Sequence, residues 1–263
     1  MLGGALREVF TDSEVTASDR KELDITDIAM VREKISALKP DVIINAAAYT
    51  DVDKAEVERE LAFAVNAAGV KNLAEVAKEV GATLVHYSTD YVFPGDREAG
   101  YNEGDELGPA VNVYGESKLA GEVALRDSGC RFYLIRTAWL YGVGGKNFVT
   151  TMLKLGKERS ELGVVNDQHG SPTYTVDVAR YTKELLEKGF LLGVYHATNS
   201  GVTTWYEFAR EIFAVAGLAV VVKPVPSSEY RRPAKRPPWS GLLNTKGPKM
   251  RRWQEALREY LKV

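Results

Sequence analysis

A tyrosine and a lysine stand four residues apart in this sequence, at Tyr114 and Lys118. On a helix, that spacing places both side chains on one face, within reach of each other. A phenol with a pKa of about 10 is a weak acid near neutral pH, and a neighbouring ammonium lowers that pKa because it favours the phenolate. We therefore expect Lys118 to lower the pKa of Tyr114, so that the tyrosine can exchange a proton with a reacting oxygen.

Two hydroxyl residues, Ser88 and Thr89, lie upstream of this pair in a run with the character of a strand. Thr89, with Ser88 as its substitute, can donate a hydrogen bond to the same oxygen and stabilise the charge that develops there. Together the three groups suit the reduction of a ketone, which needs hydride on carbon and a proton on oxygen. The spacing alone is weak support, because a chain with 13 tyrosines contains such pairs by chance. An exposed helix face is the alternative.

Short β-rich runs alternate with longer helical stretches over most of the chain. We predict strands at 13–17, 41–49, 83–93, 131–142 and 193–199. We predict helices at 60–81, 113–129, 147–159, 175–189 and from Thr203 or Thr204 to about 215. This alternation indicates βαβ units, and therefore an α/β fold with a Rossmann-like, doubly wound parallel sheet.

Three of the predicted strands end in small or polar residues, at 46–50, 88–91 and 137–139. Ligands of such sheets bind at the carboxyl ends of the strands, so we expect these three segments to meet in one crevice. A later segment, 225–250, is rich in Pro, Arg, Lys and Ser. It is either a solvated linker or a basic loop that folds over an anionic ligand.

The composition is that of an ordinary soluble globular protein, with 45% hydrophobic residues and a net charge of -2. This charge gives no general attraction to nucleic acid or to a membrane surface, and we expect a cytoplasmic protein. The single cysteine, Cys130, cannot form an internal disulfide, and we interpret it as a small buried hydrophobic residue. His86, His169 and His196 lack metal-ligand spacing, and His86 reads as a core residue of a strand.

Seven motifs connect this chemistry to a known family. They are NAAAYTDVDKAE (45–56), HYSTDYVFPG (86–95), NVYGESKLAGE (112–122), RTAWLYG (136–142), NDQHGSPTYTVDVA (166–179), GVYHATNSG (193–201) and RPAKRPPWSGLLNTK (232–246). In this order, from about residue 2 to the end of the chain, they resemble the dTDP-4-dehydrorhamnose reductases, a family of extended short-chain dehydrogenase/reductases.

The resemblance implies reduction of the 4-keto group of dTDP-4-dehydro-L-rhamnose to dTDP-L-rhamnose, with NADPH or NADH as the cofactor. It implies that Tyr114 is the proton donor, that Lys118 is its partner and a ribose ligand, and that Thr89 is the hydroxyl on the carbonyl side. It also implies a nucleotide-binding domain at 1–146 and about 160–200. The smaller C-terminal lobe, at about 147–159 and 201–263, would bind the substrate.

Further binding residues follow from the same resemblance. The predicted cofactor ligands are Met1, Leu2, Asp19, Arg20, Asp24, Ile25, Ala48, Tyr49, Thr50, Tyr87, Tyr114 and Lys118. The predicted substrate ligands are Val52, Thr89, Asp90, Tyr91, Trp139 and Arg236. Trp139 as a core residue and Val52 as a simple helix-start contact are the alternatives. Asp19 favours NAD and Arg20 favours NADP, so the sequence leaves the choice of cofactor open.

No metal is expected at the first helix, because Ala5 aligns with the glutamate that bridges dimers in some relatives. The expected partner is a small nucleotide sugar, with a homodimer as the assembly. Three alternatives to the reductase stay open: a sugar-nucleotide epimerase or dehydratase, a reductase-like regulatory subunit such as that of methionine adenosyltransferase, and an inactive fragment. Dehydratases carry an acidic pair after the strand-end threonine, whereas Thr89 is followed by Asp90 and Tyr91.

The inactive-fragment alternative arises from the first residues. Met1-Leu2-Gly3 matches the last places of the Gly-x-x-Gly-x-x-Gly turn that opens dinucleotide folds. We expect the native protein to carry a preceding strand and two further glycines, about ten residues in all.

Overall fold

The computed structural model describes residues 1–262 of the chain. The strands in chain order are Val42–Asn45 (β1), Thr83–Thr89 (β2), Arg131–Thr137 (β3), Leu140–Tyr141 (β4), Glu161–Val165 (β5), His169–Gly170 (β6), Thr173–Tyr174 (β7), Gly193–His196 (β8), Thr203–Thr204 (β9) and Val221–Val225 (β10). The α-helices are Leu2–Val9 (α1), Ile28–Leu38 (α2), Val52–Ala55 (α3), Arg59–Phe63 (α4), Gly69–Val80 (α5), Val113–Asp127 (α6), Phe148–Glu158 (α7), Thr175–Glu187 (α8), Trp205–Ala216 (α9) and Trp253–Leu261 (α10). Within the described residues, no helix is both long and apolar enough to cross a membrane.

The predicted parallel sheet is confirmed, with the strand order β1-β2-β3-β8. Successive residues of a strand face opposite sides of a sheet, and both sides here are covered by helices. Leu84 and Leu134 pack with α2 and α5 on one side, whereas Val85 and Ile135 pack with α1 and α8 on the other. Cys130 and His86 are buried, as predicted. This arrangement is a doubly wound α/β fold.

Several predicted strands end earlier than expected. The segment 41–49 is a strand only as far as Asn45, and 83–93 turns into a short 3₁₀ helix at Asp90–Val92. The segment 131–142 breaks at Trp139, whose φ of 46° is left-handed. The prediction of a strand at 13–17 is wrong. These residues are irregular and fully on the surface, and within residues 1–262 no strand hydrogen-bonds to the outer edge of β1.

The long helix predicted at 60–81 is confirmed in outline but contains a π-helical turn. α4 and α5 are joined by the π turn Ala64–Ala68, which includes the buried side chain of Asn66. The helix ends at Gly81, whose φ of 77° is the left-handed conformation that favours glycine at a helix C-cap.

The second lobe has its own apolar core, built from α7, α9, α10 and the parallel pair β5 and β10. We expected residues from about 160 to return to the first domain, but Glu161–Val165 pairs with Val221–Val225 and packs in this lobe. The chain rejoins the main sheet through α8 and β8. The strands β5 and β10 and the last helix were not predicted.

The segment 225–250 is not a solvated linker. Its backbone forms hydrogen bonds with the segment before α6 and with β6: Trp239 N–H with Gly95 O at 2.9 Å, Leu243 N–H with Tyr101 O at 2.8 Å, and Ser240 N–H with His169 O at 2.9 Å. The side chains of Ala234, Ser240 and Leu242 are buried in the described chain. The segment therefore runs as a packed strap between the two lobes.

Candidate active site

Tyr114 lies in the first turn of α6, next to the carboxyl end of β2. Asn112 caps the helix, because its side-chain oxygen accepts a hydrogen bond from Gly115 N–H at 2.8 Å. A Cβ atom at Gly115 would lie 2.4 Å from Tyr91 O, so only glycine lets the helix approach the turn after β2 this closely. As a result the rings of Tyr114 and Tyr91 meet edge to face, with their centroids 5.7 Å apart.

Asn66 ties the same helix to the segment that follows β1. Its side chain accepts from Tyr49 N–H at 2.9 Å, and donates to Tyr49 O at 3.0 Å and to Ser117 Oγ at 3.0 Å. The Ser117 hydroxyl in turn donates to Tyr114 O at 2.7 Å. A Cβ atom at Gly121 would lie 2.1 Å from Asn66 O, so the backbone of α6 packs directly against the backbone of the π turn. Asn66 is therefore a structural amide that holds the site together.

Thr89 ends strand β2 and Asp90 begins the 3₁₀ helix that follows, and both side chains are buried. The Thr89 hydroxyl donates to Asp90 Oδ1 at 2.8 Å and accepts from Tyr91 N–H at 3.3 Å. Asp90 Oδ2 is buried without a hydrogen-bond partner among the described atoms. Burial raises the pKa of this carboxyl to about 6. The strand end thus offers an acceptor oxygen that a hydroxyl-bearing ligand would satisfy.

Lys118 is buried, and its side-chain nitrogen lies against strand β2. Nζ donates to Tyr87 O at 2.6 Å and lies 3.4 Å from His86 Nε2. Burial lowers the pKa of Lys118 to about 8, although Glu122 opposes this change. The pKa of Tyr114 is raised to about 12, first by burial, with the Thr89 hydroxyl opposing. The pKa of Tyr114 thus lies above its ordinary value because the phenol is buried, while Lys118 donates to a carbonyl of β2. The effect of Lys118 on Tyr114 stays a prediction.

The predicted cofactor residues after β1 lie on the surface at the carboxyl end of the sheet. Ala48 and Thr50 are exposed, whereas the Tyr49 backbone is held by Asn66 and its hydroxyl donates to Glu58 at 2.8 Å. Met1 and Leu2 begin helix α1 beside this edge. A Cβ atom on Gly3 would lie 3.9 Å from Ala46 Cβ, so small residues face each other across the opening.

Three other predicted cofactor residues use their side chains elsewhere. The Tyr87 side chain packs among the residues of α1 and α8, and its hydroxyl pairs with Thr182 at 2.7 Å, so only its backbone can face a ligand at the strand end. Ile25 is buried in the core against α5. Asp24 accepts from Thr26 N–H at 3.0 Å and closes its own turn.

Asp19 and Arg20, the residues that bear on the choice of cofactor, lie on the surface. Asp19 accepts from the N–H group of Lys21 at 2.8 Å, and Arg20 contacts Asp24 at 3.3 Å. Both residues lie in the turn before α2, are exposed, and contact only neighbouring residues of that turn.

Trp139 lies between the two lobes. Its ring stacks on Trp205 of α9 with a centroid separation of 3.4 Å and an interplanar angle of 6°. A Cβ atom on Gly170 would lie 2.5 Å from the Trp139 ring, so glycine is needed where β6 passes under it. Trp205, whose indole N–H donates to Gln168 at 3.2 Å, was not predicted, although it follows the capping threonine of α9 directly.

Arg236 reaches the site from the strap, where it binds a carboxylate of the chain. Its guanidinium pairs with both oxygens of Asp53 in α3, the second at 3.0 Å, and donates to Ala234 O at 2.6 Å. This bond holds the pKa of Asp53 below its usual value. Val52 is the first residue of α3, adjacent to this pair. Asp53 was missed because it is 183 positions away from Arg236 in the sequence.

Among residues 1–262, no three His, Cys, Asp or Glu side chains lie close enough together to hold a metal ion. The expectation that the first helix binds no metal stays a prediction.

The chain matches one protein family over its whole length. The family model described as RmlD substrate binding domain matches residues 1–263. Among curated proteins, the dTDP-4-dehydrorhamnose reductase of Streptomyces griseus is 44% identical over 98% of this chain and 89% of its own length. The enzyme of the same name from Escherichia coli K12 is 45% identical over 82% of this chain and 75% of its own length.

Solved structures agree with this match. The dTDP-4-dehydrorhamnose reductase of Bacillus anthracis, crystallised in complex with NADP, superposes with a TM-score of 0.96 at 42% identity, over 99% of this chain and 95% of that one. A UDP-glucose 4-epimerase from Thermus thermophilus, at 20% identity and a TM-score of 0.76, shares the fold alone.

Proposed function

The chain belongs to the RmlD substrate binding domain family, and from this premise we propose that it reduces dTDP-4-dehydro-L-rhamnose to dTDP-L-rhamnose with NADPH or NADH. The observation that carries the proposal is the assembly of Thr89, Tyr114 and Lys118 at the carboxyl end of β2, where ligands of such sheets bind. The enzyme acts in the synthesis of a nucleotide sugar for cell-surface polysaccharide.

The residues at this edge fit a dinucleotide. Small side chains line the opening between α1 and β1, so that a ligand can approach the backbone closely. Lys118 presents a buried amine for a ribose hydroxyl, beside Tyr114 one helical turn away. When bound, the reduced nicotinamide supplies the hydride. We assign Met1, Leu2, Ala48, Tyr49 and Thr50 to the cofactor as part of the proposal.

The protein side of the reaction follows from the acids and donors in place. Tyr114 gives its phenolic proton to the oxygen that was the 4-keto group. Its high pKa keeps the phenol protonated before the reaction, so that it is ready as an acid. The Thr89 hydroxyl donates to the same oxygen once it turns from Asp90, and this stabilises the developing charge.

The remaining groups orient the sugar and its diphosphate. The unpaired oxygen of Asp90 accepts a hydrogen bond from a sugar hydroxyl, and the ring of Trp139 packs on the sugar face. Arg236 suits bidentate contact with the diphosphate, for which it must leave Asp53. Val52 and Tyr91 border the same space.

Turnover of the purified chain tests this proposal. We expect oxidation of NADPH or NADH that depends on dTDP-4-dehydro-L-rhamnose, with dTDP-L-rhamnose identified by mass spectrometry and NMR. Tyr114→Phe removes the proton donor and should lower the rate by a factor of about 10²–10⁴. Tyr206→Phe, a tyrosine of the second lobe, is the matched control and should keep the rate.

The outcomes separate the alternatives. Cofactor binding without turnover would favour a regulatory subunit. Release of product with no net oxidation of the cofactor would favour an epimerase or dehydratase. A homodimer and a cytoplasmic location stay predictions, and light scattering on the purified protein checks the first.

A further inference from the structure

Three buried polar side chains form a row behind the proposed catalytic residues. Asn45 ends β1 and stands opposite His86 in the register of β1 and β2. Asn45 Nδ2 lies 3.1 Å from His86 Nδ1, and His86 Nε2 lies 3.4 Å from Lys118 Nζ. The three residues are 5%, 0% and 2% exposed, so each contact is shielded from water.

The orientation of the Asn45 amide follows from its second hydrogen bond. Ala47 N–H donates to Asn45 Oδ1 at 3.1 Å, and this identifies the acceptor end of the amide. The other end, the NH₂ group, therefore faces His86 and donates to Nδ1. A ring nitrogen that accepts a hydrogen bond carries no proton, so the proton of the neutral imidazole is on Nε2.

From this geometry we propose that His86 is a positioning residue: Asn45 holds it as the Nε2–H tautomer, and its N–H, directed at Lys118, weakens the hold of Lys118 on its proton. An ammonium has donors only and cannot accept from Nε2–H. An uncharged amine can accept from His86 and still donate to Tyr87 O, 2.6 Å away. The contact therefore favours loss of the lysine proton.

The other groups around Lys118 do not cancel this effect. Glu122, one turn along α6, is the charged group that favours the ammonium. Its carboxylate is already bound by Arg136 at 2.8 Å and by Arg126 at 3.0 Å. Burial of Lys118 acts in the same direction as His86, and the pKa of His86 itself is held well below its usual value by its own burial and by Lys118. The imidazole therefore stays neutral and keeps one proton.

The consequence for the reaction rests on the proposed function. Tyr114 loses a proton in each turnover and must regain one. A lysine that titrates near neutral pH is a stronger acid than an ordinary one, and is better suited to resupply protons at the site. The tautomer and the titration of Lys118, however, are properties of the chain alone, so they can be measured without substrate or cofactor.

The other buried histidine provides an internal reference for the first measurement. His196 Nδ1 donates to Leu243 O at 3.0 Å, and its Nε2 accepts from Arg136 at 3.2 Å. Of the three histidines in the chain, the two buried ones should therefore differ: His196 is the Nδ1–H tautomer and His86 the Nε2–H tautomer. Long-range ¹H–¹⁵N spectra of histidine-labelled protein, assigned with His86→Gln, distinguish them. The Nδ1–H form or an imidazolium at His86 at neutral pH would overturn the proposal.

The second measurement is the titration of Lys118, followed through its side-chain ¹³C and ¹⁵N shifts. In Asn45→Asp, the carboxylate only accepts, so the proton moves to Nδ1 and the lone pair of Nε2 faces Lys118. In His86→Gln, the amide can turn its oxygen to the ammonium. We expect the pKa of Lys118 to rise by about one unit in each variant.

The added charge of Asn45→Asp is separated from the tautomer change by the double variant Asn45→Asp/His86→Gln. In a double-mutant cycle, the shift that Asn45→Asp causes should shrink once the imidazole is gone. Unchanged titration of Lys118 in His86→Gln would contradict the proposal, as would an equal effect of Asn45→Asp in both backgrounds. Failure of the turnover assay would leave these results untouched, so the two proposals can fail separately.

Discussion

Helix α6 contributes to two polar clusters against the sheet, and they differ in how many of their buried polar atoms have hydrogen-bond partners. Tyr114 and Lys118 face β2, where Asp90 Oδ2 and Ser88 Oγ have no hydrogen-bond partner among the described atoms. One turn further, Glu122 binds Arg136 of β3 through both oxygens, at 2.9 and 2.8 Å. We call the first cluster, from Tyr114 to Lys118 with Thr89 and Asp90, the reactive cluster after its proposed role, and the second, around Arg136, the structural cluster.

The structural cluster satisfies nearly every group it buries. Arg136 also contacts His196, and its guanidinium lies 4.9 Å from the centroid of the Phe93 ring. Glu103 accepts from Thr245 N–H at 2.9 Å and from its hydroxyl at 2.6 Å, which anchors the strap. Buried polar groups are normally paired, so the unpaired atoms of the reactive cluster indicate places for a ligand. One helix thus contributes to stability at one end and carries the proposed catalytic residues at the other.

The largest effect should come from opening the structural cluster. Arg136→Met leaves Glu122 buried without its main partner, and we expect a loss of about 3–5 kcal/mol in the free energy of unfolding. Arg126→Met removes the partially exposed partner of the same carboxylate and should cost less than about 1 kcal/mol. Urea denaturation measures both. Equal losses of unfolding free energy in the two variants would show that the buried Arg136–Glu122 pair stabilises the fold no more than the partly exposed Arg126–Glu122 pair.

In contrast to the Glu122–Arg136 pair, the buried Asp90 carboxylate of the reactive cluster should lower the free energy of unfolding at neutral pH. The pKa of Asp90 is about 6 in the folded chain against 3.8 for the free side chain, so the folded state holds this proton more tightly. Stability is therefore lost as the pH rises from about 4 to 6. Asp90→Asn should raise the free energy of unfolding at pH 7 by up to about 3 kcal/mol, with the gain disappearing near pH 4.

The matched control for Asp90→Asn is Asp127→Asn, whose exposed carboxylate stays in water in both states. Denaturation curves across this pH range compare the two variants with the parent chain. A gain that does not depend on pH would mean that the asparagine stabilises through packing, and that the carboxyl titration is not responsible.

Both clusters depend on the close approach of α6 to the π turn. Gly121→Ala places a methyl group against Asn66 O, and we expect a loss of about 1–3 kcal/mol together with reduced activity, because Tyr114 moves with its helix. Gly104→Ala, in open space at an exposed turn, should change neither. Thermal unfolding and turnover check both variants. Full activity in a destabilised Gly121→Ala variant would show that turnover does not depend on the close approach of α6 to the π turn.

The smallest effect on stability is expected at the ion pair that holds Arg236. Asp53→Asn should change the free energy of unfolding by about 1 kcal/mol or less, because both side chains keep contact with solvent, 22% and 18% exposed, and the asparagine amide can still accept a hydrogen bond. It frees Arg236 for the diphosphate and should therefore change the KM for the nucleotide sugar more than kcat. Arg232→Met, which removes an exposed partner of Asp53, is the control. A change in kcat alone would argue against contact of Arg236 with the substrate.

The sequence predicted the reactive cluster better than its surroundings. Strand and helix patterns placed Thr89 at the end of one element and Tyr114 at the start of the next, as the structure has them. The helix predicted to end at 81 is also capped there. The strap could not be predicted as packed, because its contacts with Gly95 and Tyr101 join positions far apart in the chain. The strands β5 and β10 were missed because each is short and is stabilised by the other.

The role of Lys118 shows the same limit at a single residue. Helical spacing places it beside Tyr114, but the spacing does not reveal that Nζ donates to Tyr87 O or that the ring of His86 lies against it. Likewise, Trp139 was predicted at a strand end, whereas its stacking partner Trp205 comes from the other lobe. Contacts between distant elements decide these details, and a single sequence carries no direct signal for them.

The central claim is that the reactive cluster performs chemistry and the structural cluster maintains the fold. Measuring kcat/KM and the free energy of unfolding in Tyr114→Phe tests it most directly. The account predicts a fall in kcat/KM of about 10²–10⁴ with stability equal to that of the parent chain within about 1 kcal/mol. Near-normal turnover, or a loss of activity that follows a loss of stability, would contradict it.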